Sequence, residues 1–137
     1  MSINYGIGKK PSSGSGGKTP KPTPTTKRFI GEKGNPDFQN GWVNHSTAYK
    51  HASFVKTNDG IVYLSGVIKG GATNINKTIF VLPIGYRPSK TNIFATLSNE
   101  KICRIDIHPN GAVVVKKGVS KKWLTLCGIS FKVADNG

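Results

Sequence analysis

The chain has 137 residues and a formal charge of +14, from 20 Lys and Arg against 6 Asp and Glu. That length allows one domain with a single core plus some tail. No apolar run reaches the ~18–20 residues of a membrane-spanning helix, which excludes membrane insertion by a helix, while the charge favours an anionic partner such as nucleic acid, an acidic protein surface, a glycan or phospholipid.

Residues 1–28 are a low-complexity mixture of Ser, Gly, Lys, Thr and Pro. They contain Lys9, Lys10, Lys18, Lys21, Lys27 and Arg28 and no acid. So little apolar surface cannot offset the entropy of ordering, so this tail is expected to be extended and disordered when free. The run Thr19-Pro-Lys-Pro-Thr-Pro24 should be stiff. Ile3, Tyr5 and Ile7 alternate as in a strand and could add to a partner's sheet edge. With Lys9 and Lys10 they are the candidate anchoring residues. Gly14-Ser-Gly-Gly-Lys18-Thr19 imitates a phosphate-binding loop, but Ser12 stands where that pattern needs glycine, and Pro20 and Pro22 oppose the helix that should follow.

Residues 29–46 read as a polar linker. Gly31-Glu-Lys-Gly34-Asn-Pro36 makes two Gly-X-Y triplets, far too few for a collagen helix. Residues 47–137 read as the folded head domain. A first strand is expected over 48–57, closed by Asn58-Asp59-Gly60, where Asp-Gly suits a type I′ turn. The segment 61–69 follows as one strand with Val62, Leu64, Gly66 and Ile68 on one face and Ile61, Tyr63, Ser65 and Val67 on the other. Strands at 78–82 and 92–98 come next. In 101–108, Cys103, Ile105 and Ile107 alternate inward against Arg104, Asp106 and His108. Pro109-Asn110-Gly111 is a second tight turn leading into 112–115. The final strand, 122–133, offers Trp123, Cys127, Ile129, Phe131 and Val133 to the core. No window carries a helical period with caps. The expectation is an all-β, antiparallel sandwich of about seven to eight strands.

Catalytic chemistry finds little support in this composition. No histidine pair has zinc-ligand spacing, and Cys103 and Cys127 read as small core residues. No serine sits in a nucleophile elbow. Glu100, Asp106 and Asp135 are too few for a confident carboxylate dyad. No enzyme, metal or cofactor is therefore expected. Lys116, Lys117, Lys121 and Lys122 with Trp123 form a basic patch with one aromatic, which suits nucleic acid. However, Tyr63, Phe94 and Trp123 belong to different strands and do not make one stacking face.

One series of short motifs is more specific. It runs Gly41-Trp42, Tyr49, Asp59-Gly60, Val62-Tyr-Leu64, Gly66, Gly70-Gly71, Ile79-Phe-Val-Leu-Pro83 and the corner Gly85-Tyr-Arg-Pro88. Asn110-Gly111, Leu126, Gly128-Ile129 and Phe131 complete it. In order and spacing this resembles the head domains of phage virion attachment proteins of the tail-fibre, baseplate, head-fibre or spike kind. The resemblance implies a jelly-roll-like β-sandwich, frequently a homotrimer, presented outward from a virion towards a host-surface glycan. The chain has no long shaft, which points to a small head fibre, spike or decoration protein. As a receptor binder it would hold a saccharide through Trp42, His45, Tyr49 and Arg87. As a capsid decoration or assembly protein it would work through the basic tail on other virion proteins. A nucleic-acid-binding role for that tail is the third expectation.

Overall fold

The computed structural model describes residues 26–134, so Ile3, Tyr5, Ile7, Lys9 and Lys10 lie outside the described residues. Eleven short strands form two sheets, and every strand pairing is antiparallel. They are β1 (Arg28–Phe29), β2 (Val43–Asn44), β3 (Ser53–Lys56), β4 (Ile61–Ser65), β5 (Val67–Lys69), β6 (Thr78–Val81), β7 (Asn92–Ser98), β8 (Lys101–Ile107), β9 (Ala112–Lys117), β10 (Leu124–Thr125) and β11 (Ser130–Lys132). One sheet has the order β1-β3-β4-β11, and the other β2-β5-β10-β7-β8-β9-β6. The all-β, antiparallel sandwich is as expected. The strand count is higher, because two expected strands are each broken in two and two strands come from residues 28–44.

Turn chemistry sets the hairpins. Between β3 and β4 the Gly60 amide donates to the Thr57 carbonyl at 3.0 Å, and the Thr57 amide to the Ile61 carbonyl at 2.9 Å. Gly60 has φ 85°, whereas Asp59 is not left-handed. This is a type I turn closed by a left-handed residue, in place of the expected type I′ turn. Asp59 favours that form because its carboxylate accepts from the Thr57 hydroxyl, which in turn accepts from the Ile61 amide. The β8–β9 hairpin repeats the device, with Gly111 at φ 90° donating to the His108 carbonyl at 2.8 Å.

The sequence 61–69 does not stay in one sheet. It passes from β4 to β5 at Gly66, and 122–133 passes from β10 to β11 across Cys127 and Gly128. The two crossings lie side by side: the Leu64 amide donates to the Ile129 carbonyl at 2.9 Å, and the Leu126 amide to the Gly66 carbonyl at 2.8 Å. A paired ribbon therefore turns the corner together. Gly66 has φ 122°, and a Cβ there would stand 2.5 Å from the Ala52 Cα, so only glycine fits. On the other strand, a turn from Leu126 to Ile129 shifts the alternation. Leu124, Leu126, Ile129 and Phe131 are buried, whereas Cys127 is exposed and Trp123 half-buried. The expected core positions of Trp123 and Cys127 are corrected accordingly.

The stretch 29–46 is not a polar linker. Phe29 pairs with Ser53, Val43 pairs with Lys69, and Ile30 and Trp42 enter the core at 3% and 1% exposure. Asp106 is also corrected. It lies on the outward side of β8, yet its side chain is only 4% exposed and accepts a two-pronged contact from Arg104 at 2.9 and 3.0 Å. Elsewhere that outer face is open and apolar. Leu97 and Ile102 sit directly opposite each other at 45% and 76% exposure, with Ile93 beside them on β7 at 63%.

A candidate ligand cleft at a hairpin turn

A cleft of about 210 Å³ is lined by His45, Tyr49, Val67, Glu100 and Trp123. Four separate pieces of chain build it. The loop from His45 to Lys50 is tied to Val67 on β5: the His45 amide donates to the Val67 carbonyl, and the Val67 amide to the Lys50 carbonyl, each at 2.9 Å. Within that loop the Ser46 hydroxyl accepts from the Ala48 amide at 3.3 Å, a short polar turn of the kind serine favours. It presents the His45 and Tyr49 rings edge to face, with centroids 5.1 Å apart.

Across the cleft, β7 and β8 are joined by the two residues Asn99 and Glu100, since Ser98 pairs with Lys101. Their φ values are 46° and 71°, the double left-handed geometry of a type I′ turn. Asn is suited to the first position. The second ordinarily takes glycine, and Glu100 occupies it at a cost of order 1 kcal/mol or more. Trp123 is held to this turn by its backbone: the Asn99 amide donates to the Trp123 carbonyl at 3.2 Å, and the buried Ser98 hydroxyl does so at 2.7 Å. The same hydroxyl accepts from the Ser120 amide at 2.8 Å. Ser98 thus fixes both the turn and the loop that carries Trp123.

The cleft is chemically two-sided. Aromatic rings supply faces and edges for stacking, and Glu100 supplies the only carboxylate. The one ion pair among the described residues is Arg104–Asp106, so the Glu100 carboxylate is not neutralised by any of them. Larger surface hollows of about 360 and 430 Å³ lie around the Pro83–Pro88 corner; Arg28, Asp37, Gln39 and Arg87 are among the lining of the first, and the second is mostly proline, glycine and aliphatic.

Of the candidate binding residues, His45 and Tyr49 come together here. Trp42 does not reach the surface. It is packed against Gly71, where a Cβ would fall 2.1 Å from the indole, and its Nε1 is buried without a hydrogen-bond partner. Arg87 belongs to the corner, where its Nε donates to the Leu82 carbonyl at 2.8 Å and it lines both larger hollows. Its neighbour Tyr86 packs edge to face on buried Phe54 at 5.0 Å, under the Arg28 guanidinium and the Lys56 ammonium. The four lysines make no single face. Lys116 donates to the Asn76 side chain at 2.7 Å, Lys117 borders a groove with Ile93 and Ile102, and Lys121 and Lys122 are exposed in the loop before β10. Sequence reasoning missed Glu100 and the cleft-facing role of Trp123. The available signal was Asn99-Glu100 between two alternating segments, an Asn-Gly hairpin pattern with its glycine replaced.

No family model matches the chain, and no curated protein matches it in sequence. Among solved structures, the fold matches the receptor binding protein gp15 of Listeria phage PSA with a TM-score of 0.62. The match covers 82% of this chain and 67% of that one, at 15% sequence identity. The likeness lies in the fold, and it agrees with the phage attachment-protein architecture that the sequence motifs resemble.

Proposed function

We propose that the chain is a phage virion attachment protein whose β-sandwich meets the host surface and binds a saccharide in the His45–Tyr49–Glu100–Trp123 cleft. The observation that carries this reading is the match of fold to a phage receptor binding protein over four-fifths of the chain. The aromatic-lined cleft supports it, since saccharides stack on such rings while polar groups fix their hydroxyls. The basic tail, residues 1–28, is the proposed anchor to other virion proteins, so that the protein is a component of the particle. The exposed face around Ile93, Leu97 and Ile102 supports self-association, with a homotrimer as the proposed state, because monomers rarely leave such apolar faces open.

The test is binding of the full chain to host envelopes and to a glycan array, beside a Trp123→Ala variant. The expected result is saturable binding that the substitution weakens at least tenfold. Incorporation into particles without any envelope binding would favour a capsid decoration protein instead. Binding to arbitrary DNA that falls steeply with salt would favour the nucleic-acid role.

A further inference from the structure

Glu100 stands in a conformation that its own side chain disfavours. At φ 71° in the second position of the β7–β8 turn, it occupies the place where glycine is free of strain. Strain of this kind persists where the residue does something that its replacement would not. Here Glu100 lines the cleft together with three aromatic residues, His45, Tyr49 and Trp123, and no cation among the described residues forms an ion pair with it.

A carboxylate beside aromatic rings is an environment for a positively charged group. The ring faces attract a cation through their quadrupoles, and the carboxylate supplies the counter-charge. The volume of about 210 Å³ lies below the range of roughly 300–1,000 Å³ typical of small-molecule sites, so the cleft takes one small unit and not an extended chain. The surrounding lysines do not reverse this preference. Lys50, Lys101 and Lys122 adjoin lining residues in sequence, but none of them lines the cleft, whereas Glu100 does, and exposed charges are screened by salt.

We infer that Glu100 makes the cleft selective for a ligand unit bearing an ammonium group, such as a non-acetylated amino sugar or a quaternary ammonium substituent. This rests on the attachment reading for its biological setting, but its chemistry is tested separately. The Trp123 indole N–H of the isotopically labelled full chain is followed by NMR during titration with D-glucosamine, N-acetyl-D-glucosamine and choline. The expected result is that glucosamine or choline shifts the Trp123 signal and that N-acetylglucosamine binds at least tenfold more weakly. Which of the two cations binds more tightly distinguishes an amino-sugar source from a quaternary one.

Two variants complete the test. Glu100→Gln keeps the backbone strain and the side-chain shape but removes the charge, and should weaken cation binding about tenfold or more. Glu100→Gly should abolish cation binding while raising the Tm by roughly 3–5 °C through relief of strain. Equal binding of the acetylated sugar, unchanged binding by Glu100→Gln, no response to either cation, or a lower Tm for Glu100→Gly would each overturn the inference. If the wild-type chain still binds host envelopes in those cases, the attachment reading stands and only the ammonium preference falls. If it binds no envelope, the attachment reading falls on its own.

Discussion

The Gly66 amide donates to the Cys127 sulfur at 3.2 Å, at the place where two paired strands leave one sheet and enter the other. Gly66 has no room for a side chain, because the Ala52 backbone closes over it. Gly66→Ala combines that overlap with an unfavourable φ and should cost about 3 kcal/mol or more in urea unfolding. Cys127→Ser retains an acceptor at an exposed position and should cost less than about 1 kcal/mol.

The two cysteines should differ sharply in reactivity. Cys127 is exposed, whereas Cys103 is buried on β8 and its thiol is pushed above its ordinary range by desolvation. A raised value keeps the thiol protonated and unreactive. Iodoacetamide under native conditions should label Cys127 alone, with Cys103 labelled only after denaturation. Mass spectrometry of the labelled peptides gives the answer, and equal labelling would contradict the core assignment.

Arg104 and Asp106 should respond unequally to substitution. The Arg104 side chain is 45% exposed and that of Asp106 4%. Arg104→Met leaves a buried carboxylate without its partner and should be the more destabilising of the two. Asp106→Asn removes the buried charge and frees a solvent-exposed guanidinium, so it should be the milder of the two. Guanidinium denaturation of the two variants should show that order.

Much of the fold was legible because Cys103, Ile105 and Ile107 alternate cleanly, and because Asp59-Gly60 and Asn110-Gly111 mark turns. The corner crossings were not, since Gly66 fits an alternating pattern whichever sheet follows it. The phase slip at Cys127 depends on the partner strand it turns beside. Trp42 is buried by Gly71, a contact that no local pattern announces. In the site, His45 and Tyr49 were two of four candidates, beside Trp42 and Arg87, and their ring pairing was not legible. Their partners Glu100 and Trp123 arrive from a hairpin turn and a later loop, which only the sheet order brings near.

Acid should reveal the β3–β4 turn. The Thr57 hydroxyl, followed by the Asp59 backbone amide, holds the Asp59 carboxyl below its ordinary value of 3.8. A lowered folded-state value means stabilisation that is fully present above 3.8 and lost as pH falls through the folded value. Thr57→Val should remove the principal cause, so the acid limb of its stability curve should fall less between pH 4 and the folded value. Thermal melts across that window measure the difference.

Ser98 should be the residue through which stability and ligand binding are linked. Ser98→Ala removes the hydroxyl that joins Trp123 to Ser120, leaving the Ser120 amide without that acceptor and the Trp123 carbonyl with the Asn99 amide alone. A loss of about 1–3 kcal/mol is expected. The Trp123 fluorescence should broaden or shift in the folded variant, and ligand affinity should fall although no contacting side chain has changed.

The ribbon corner also defines a mechanical route through the molecule. Tension applied to the chain before Arg28 enters at β1, an edge strand held by only two paired residues and by Ile30, whose amide donates to the Ala52 carbonyl at 3.0 Å. From β1 it passes in shear to β3 and β4, and then along continuous backbone through Gly66 into Val67, which holds both ends of the His45–Lys50 loop. A pull at the tail therefore reaches the His45–Glu100 cleft through covalent bonds and ladder hydrogen bonds, with the inflexible seat of Gly66 against Ala52 as its fulcrum.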